Sequence, residues 1–113
     1  MKVIINESKR DVLIFNWLNE EYGNLKYQVS NSDPKWYFFI KNGKVVMDYL
    51  TKYKRFTMDK DITNFLDSFF GIHYFDAKKI VGKWFQETYG LDVEIVTTPV
   101  ENIRIVWSYK SDN

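Results

Sequence analysis

Cysteine is absent from the 113 residues, and proline and glycine are scarce, with two and five copies. Without cysteine there is no disulfide framework and no thiolate metal site, which is typical of a reducing compartment. Few prolines and glycines, together with 45% hydrophobic residues, exclude a disordered or low-complexity chain. No apolar run reaches the roughly 18 residues of a membrane span, and residues 1–6 are too short for the apolar part of a signal peptide. We therefore expect a soluble protein with no membrane partner.

The sequence also lacks an excess of charge of one sign, because 16 Lys and Arg face 15 Asp and Glu. The net charge of +1 is far from the basic surplus of a typical DNA-binding domain. Aromatic residues are the one excess: 9 Phe, 8 Tyr and 4 Trp make up 19% of the chain. A domain of this size cannot hide all of these rings, and exposed aromatic side chains are enriched in protein interfaces.

No linker, internal repeat or block of like charge divides the chain, so we predict a single globular domain over residues 1–113. Residues 3–5 suggest a short first strand. Ser8 can then cap a helix that runs to about Tyr22, with Gly23 at the position of a left-handed C-cap.

The middle of the chain alternates in the manner of strands and predicts a meander. The meander begins with a strand around residues 25–29. Its next strand, over residues 35–41, is followed by Asn42-Gly43, the strongest short hairpin signal. The return strand covers residues 44–50, and a further turn leads into residues 55–58.

Two helices and a pair of strands complete the prediction. Asp59 or Asp61 caps the first helix, and Gly71 ends it. Its apolar side chains recur with a helical period: Ile62, Phe65, Leu66 and Phe69. The second helix spans about residues 75–89 and contains Gly82, which indicates close packing at that point. Strands follow over residues 93–97 and 103–109. The fold class is α+β: a mostly antiparallel sheet with an N-terminal helix and a helical hairpin packed on it.

Several segments carry a resemblance to known sequences. KVIINES, the helix end NEEYGNL, WYFFIKNGKVVMDY, FLDSFFGI and KWFQETYGLDVEIVTT are similar to segments of short uncharacterised proteins encoded by marine tailed bacteriophages. The similarity covers most of the chain up to Thr98 and is weaker over the last 15 residues. It implies a phage origin and action in the cytoplasm of an infected bacterium or in the virion. It transfers no catalytic or binding residue, because these segments are motifs of fold rather than of chemistry.

Signals for catalysis, metals and cofactors are weak. The one histidine, His73, has no partner at a ligand spacing and is interpreted as a turn or capping residue. There is no nucleophile motif and no phosphate-binding glycine loop. An acid–base site would need converging carboxylates around Glu7, Asp11 or Asp48. We therefore predict no enzyme activity, no metal and no cofactor.

The aromatic run in the central hairpin is the candidate binding site. Neighbouring strand residues point to opposite faces, so residues 36–39 cannot all enter one core. If one face of the sheet is open to solvent, Tyr37, Phe39 and Tyr49 are candidate anchors of a protein interface. If helices cover both faces, the same residues are core. On the first alternative the protein is a protein–protein interaction module, either a host-directed accessory factor or a small virion component, of undetermined oligomeric state.

Single-stranded nucleic-acid binding is the alternative function. Residues 35–60 contain seven Lys and Arg against two Asp, interleaved with aromatic residues. Stacking rings flanked by cations are typical of single-strand binding surfaces. The candidate contacts are Lys41, Lys44, Lys54 and Arg55. The structural interpretation is that these cations protect a sheet edge from pairing with other strands.

Overall fold

The computed structural model describes residues 7–31 and 33–98, which form three helices and five strands. In chain order the elements are α1 (Glu7–Tyr22), β1 (Lys26–Val29), β2 (Trp36–Lys41), β3 (Lys44–Leu50), a 3₁₀ turn (Thr51–Tyr53), β4 (Arg55–Met58), α2 (Lys60–Phe70), α3 (Tyr74–Tyr89) and β5 (Ile95–Thr97). The fold class is α+β, as predicted. None of the helices within these ranges is long and apolar enough to cross a membrane.

The five strands form one sheet in the order β1-β2-β3-β4-β5. The first three pairings are antiparallel, which confirms the predicted meander. At the tip of the β2–β3 hairpin, Asn42 and Gly43 have φ angles of 53° and 76°, the left-handed pair of a type I′ turn. The last pairing, β4 with β5, is parallel, because α2 and α3 carry the chain back across the sheet between these strands.

A β-bulge decides which side chains of the hairpin face the helices. The register between β2 and β3 shifts after Phe39, so that Phe39 lies opposite Met47 and Ile40 opposite Val45. Val46 is the extra residue, and both Val46 and Met47 join the core beneath the helices. A bulge places two consecutive residues opposite one, so the alternation of β3 changes phase at this point.

All three helices pack on the same face of the sheet and enclose the main core. Its largest fully buried side chains include residues from both layers: Ile14, Leu18, Phe39, Phe56, Met58, Ile62, Leu66, Trp84 and Phe85. The ring of Phe85 lies at the centre, stacked at 4.2 Å on Phe56 and edge-on at 5.3 Å to Phe39. Of the two alternatives considered from the sequence, helices on one face or on both, the structure has helices on one face only.

The opposite face of the sheet carries a second, smaller apolar cluster. Phe38 and Val45 are buried there, and the partly buried Trp36 and Ile40 pack against them. Asp48 is also buried, with 3% of its surface exposed, and pairs across the strands with Phe38 and Thr57. Both faces of β2 and β3 thus carry buried apolar side chains.

The ends of the helices agree in part with the predicted signals. The left-handed conformation predicted for Gly23 after α1 is wrong, since its φ is not positive. Gly71 and Gly90 take left-handed conformations at the C-caps of α2 and α3. Asp59 is the N-cap residue of α2 by position, although its side chain makes no capping hydrogen bond. The prediction for Ser8 is wrong, since α1 begins at Glu7 and Ser8 lies within its first turn. The strands predicted over residues 3–5 and 103–109 lie outside the described residues.

Candidate functional site

Four aromatic rings form a continuous ladder across α1 and α2. Trp17 stacks on Phe65 with ring centres 4.2 Å apart and planes 10° from parallel. Phe65 stacks in turn on Phe69 at 5.2 Å, and Phe69 meets Phe70 edge-on at 5.0 Å. We call these four residues the helical ladder. Offset stacks and edge-on contacts are the favoured aromatic geometries, so the rings hold one another in fixed positions.

The helical ladder rises from the core to the surface. Trp17, Phe65 and Phe70 are half-buried, and Trp17 and Phe70 pack against the main core. Phe69 is 70% exposed, more than any other large hydrophobic side chain among the described residues. Leu13, one helical turn from Trp17, is also exposed. A rigid aromatic group with a buried base and an open tip has the properties of a binding hot spot.

The charges around the helical ladder are acidic. Glu20 and Glu21 lie one turn from Trp17, Asp61 lies one turn from Phe65, and Asp67 lies one turn from Phe70. Within the described residues of α1 and α2, no Lys or Arg lies three or four positions from any of the four aromatic residues. Two of these acids are already paired, Glu21 with Lys41 and Asp61 with Lys44, whereas Glu20 and Asp67 make no ion pair within the described residues. The surface therefore combines an apolar centre with two unpaired acids, which suits a partner that presents apolar side chains flanked by basic ones.

Sequence patterning assigned Phe65 and Phe69 to the buried stripe of α2 and so missed this surface. In the structure the sheet-facing positions are Ile62 and Leu66, which are fully buried. Five apolar side chains in an 11-residue helix are more than one core contact can cover. The adjacent pair Phe69-Phe70 at the end of the helix was the available signal, because neighbouring helical residues cannot share one face.

The hairpin residues proposed as interface anchors occupy the main core. Phe39 is 0% and Tyr49 4% exposed, and Tyr37 is half-buried against the same cluster. Tyr49 donates a hydrogen bond to the backbone carbonyl of Asp92. The face that carries these residues is the face covered by the helices, so Phe39 and Tyr49 cannot serve as exposed anchors, and that prediction is corrected.

Three of the four cations proposed as nucleic-acid contacts are held in ion pairs. Their Nζ atoms lie close to carboxylates that come mostly from other parts of the chain: Lys41 is 2.6 Å from Glu21, Lys44 is 2.9 Å from Asp59 and 3.5 Å from Asp61, and Lys54 is 3.1 Å from Asp92 and 3.5 Å from Glu94. The contact with Asp59 raises the pKa of Lys44, and the hydrogen bond with Asp92 raises the pKa of Lys54. The local surplus of positive charge is thus largely neutralised by acids distant in sequence.

The fourth cation, Arg55, is half-buried on the opposite side of the sheet, near Asp48. Burial raises the pKa of Asp48 to about 6, and its neighbours Trp36, Arg55 and Thr57 offset part of that rise. Within the described ranges, Asp48 Oδ1 and Trp36 Nε1 are buried without a hydrogen-bond partner. Asp48 is thus an acid that folding places in a poorly solvating environment.

Asp11 and Asp48, two of the carboxylates considered for acid–base chemistry, lie in different parts of the fold. Asp11 lies on α1, where its Oδ1 is 3.7 Å from Arg10 Nε, whereas Asp48 lies on the sheet face that the helices leave uncovered. Glu7 begins α1, and its side chain is outside the description. The structure therefore does not bring Asp11 and Asp48 together.

His73 is the N-cap of α3, and its ring Nδ1 accepts a hydrogen bond from the backbone N–H of Phe75 at 3.4 Å. This confirms the prediction of a capping role. Over the described ranges, no group of three or more His, Asp or Glu side chains is placed to hold a metal ion.

In comparisons with known proteins, the chain matches no protein-family model, no curated protein and no solved structure.

Proposed function

We propose that this chain is a binding module that acts by protein–protein interaction, with the helical ladder as its contact surface. The observation that carries the proposal is the unbroken stack from Trp17 to the 70% exposed Phe69. Large aromatic side chains in fixed positions contribute most of the binding energy of protein interfaces. Leaving Phe69 in water on a small monomer gains nothing for the fold, so its exposure supports a role in recognition.

The partner we propose is a protein with apolar side chains flanked by Lys or Arg, because Glu20 and Asp67 lie one turn from rings of the ladder and make no ion pair within the described residues. The resemblance to phage proteins supports a phage origin and a place in the infected bacterial cytoplasm or the virion. Within that setting the module would be a host-directed accessory factor or a small virion component. Nucleic-acid binding through the hairpin receives less support, since Lys41, Lys44 and Lys54 are occupied by acids.

The test uses two phenylalanines of similar exposure. Phe69 belongs to the ladder, whereas Phe75, 62% exposed at the start of α3, contacts only His73, Tyr74 and Lys78 among the described ring contacts. A photo-crosslinking amino acid is placed at position 69 or 75, the protein is incubated with bacterial lysate, and crosslinked proteins are identified by mass spectrometry. The affinity of the purified partner is then measured for wild type, Phe69→Ser and Phe75→Ser.

We expect a partner crosslinked at position 69, bound at least about tenfold more weakly by Phe69→Ser and unchanged by Phe75→Ser. If the crosslinked partner is a second copy of the chain, sedimentation should show a dimer that Phe69→Ser dissociates. Equal binding by wild type and Phe69→Ser would refute the ladder as the contact surface.

A further inference from the structure

A groove of about 720 Å³ lies between α1 and α3, on the side of α1 away from the helical ladder. The two helices run side by side in the same direction, as two hydrogen bonds show. Trp84 of α3 donates to Asn19 of α1, and further along both helices Tyr89 donates to the carbonyl of Tyr22. The groove volume is within the range of small-molecule sites, about 300–1,000 Å³. Nothing in the proposed protein-binding function uses it.

The apolar part of the groove is built by three side chains. Val12 and Phe15 come from α1 and Ile80 comes from α3. Val12 is 58% exposed, so this wall of the groove is open to solvent. Together the three side chains offer an apolar slot suited to an aromatic ring or a short aliphatic chain.

The lining of the groove contains an amide, that of Asn19, whose orientation is fixed. The indole Nε1–H of Trp84, a side chain that is 1% exposed, donates a hydrogen bond of 2.8 Å to Asn19 Oδ1. Because the oxygen of Asn19 is occupied, its NH₂ group is the part left for a ligand. An NH₂ group can only donate, so this position favours an acceptor such as a carboxylate or phosphate oxygen.

Two lysines of α3 border the same groove. Lys79 and Lys83 are one turn apart, both are exposed, and neither makes an ion pair within the described residues. They differ in this from Lys41, Lys44 and Lys54, which are each neutralised by a carboxylate. The groove therefore holds two lysines without an ion pair in the same lining as the donor of Asn19.

The acids that line the groove lie toward its other end. Asp11 Oδ1 lies 3.7 Å from Arg10 Nε. Asp76 lies one turn before Lys79 and about 10 Å along the helix axis from Lys83. Glu87 lies one turn beyond Lys83 but outside the groove lining. The end bounded by Asn19 and Lys83 thus presents donors, and the middle presents apolar walls.

We propose that this groove binds a small organic anion, with its aromatic or aliphatic body between Val12, Phe15 and Ile80. Its phosphate or carboxylate group lies toward Lys83 and Asn19, with Lys79 beside it. Charge-assisted hydrogen bonds from Lys to such groups are stronger than neutral ones, and the apolar slot supplies the remaining affinity.

The test is a titration of the ¹⁵N-labelled full chain with phenyl phosphate, followed by ¹H–¹⁵N correlation NMR. The indole N–H of Trp84 reports on the groove through its hydrogen bond to Asn19, and the indole of Trp36, on the opposite face of the sheet, serves as an internal reference. Three matched probes separate the contributions: inorganic phosphate has the charge without the ring, benzyl alcohol has the ring without the charge, and benzylamine reverses the charge. Benzoate distinguishes carboxylate from phosphate recognition.

We expect saturable shifts of the Trp84 indole with phenyl phosphate or benzoate, at an affinity at least about tenfold higher than for the three matched probes. Lys83→Gln should weaken this binding at least about fivefold, whereas Lys60→Gln, an exposed lysine of α2 outside the groove, should leave it unchanged. Benzylamine binding as tightly as phenyl phosphate, or an unmoved Trp84 indole at about 10 mM of both anions, would overturn the proposal. Because Phe69→Ser leaves the groove intact, that variant should bind the anion as wild type does, whatever the outcome for protein binding.

Discussion

Gly82 of α3 lies directly against Val96 of β5, so closely that a Cβ atom on Gly82 would be 2.6 Å from Val96 Cγ2. Real Cβ atoms essentially never approach a neighbour that closely. The contact ties the middle of the last helix to the parallel edge strand and explains a glycine inside a helix. The close packing predicted at this position is confirmed, and its partner is a strand.

Gly82→Ala should therefore destabilise the protein, although alanine is the better helix former by about 1 kcal/mol. We expect a net loss of about 1–3 kcal/mol in the free energy of unfolding, measured by urea denaturation, because either α3 or β5 must shift. In a Val96→Ala background, which removes the clashing methyl group, the same substitution should be neutral or stabilising. A Gly82→Ala variant as stable as wild type would contradict the close approach.

Phe39 is buried and Phe69 is exposed, whereas the sequence pattern predicted an exposed Phe39 and a buried Phe69. Phe39→Ala should cost about 3–5 kcal/mol of unfolding free energy, because it leaves a cavity beside Phe85 in the main core. Phe69→Ala should cost less than about 1 kcal/mol, since its ring is 70% exposed. Parallel urea denaturation curves would measure both. Equal losses of unfolding free energy in the two variants would contradict the placement of Phe39 in the core and Phe69 at the surface.

Asp48 should make stability depend on pH in a defined window. Its pKa is about 6 in the folded protein and 3.8 in its unperturbed state, so the folded protein takes up the proton first as pH falls. The contribution of Asp48 to the free energy of unfolding therefore rises from pH 7 to pH 4, by at most about 3 kcal/mol. Asp48→Asn should remove this contribution. The advantage of the variant over wild type should be largest at pH 7 and should shrink toward pH 4.

The exposed Asp67 offers a matched control for that measurement. Asp67→Asn should follow the wild-type curve, measured by thermal or urea unfolding at each pH. A difference between Asp48→Asn and wild type that stays constant from pH 4 to pH 7 would show that the acid is not held in a desolvated site.

Ion pairing should also suppress nucleic-acid binding by the hairpin. At about 0.15 M salt, fluorescence anisotropy with a labelled single-stranded oligonucleotide should give a Kd weaker than about 100 µM. The double variant Asp92→Asn and Glu94→Gln frees Lys54 and should bind more tightly at low salt. Tight wild-type binding that weakens steeply with salt would instead establish the nucleic-acid alternative.

Local features of the fold could be predicted from the sequence because they depend on a few neighbouring residues. The Asn42-Gly43 turn adopts the left-handed angles that these residue types favour, and Gly71 ends α2 in the same conformation. The capping role of His73 follows from its position between two helical patterns. These signals determined the order and type of the described elements, and with them the α+β class.

Long-range features depended on the tertiary structure. Alternation places Tyr37 and Phe39 on the same face of β2, but it does not indicate which face the helices cover. Phe39 was therefore predicted to lie in an interface, whereas in the structure it lies in the core. Glu21 and Asp92 neutralise hairpin lysines from segments distant in sequence, which no local count of charge can detect. The helical ladder and the groove likewise arise where α1 meets α2 and α3. Sequence by itself determines what each segment can form, whereas burial, charge pairing and sites follow from how the segments are packed together, because these properties depend on neighbours in space.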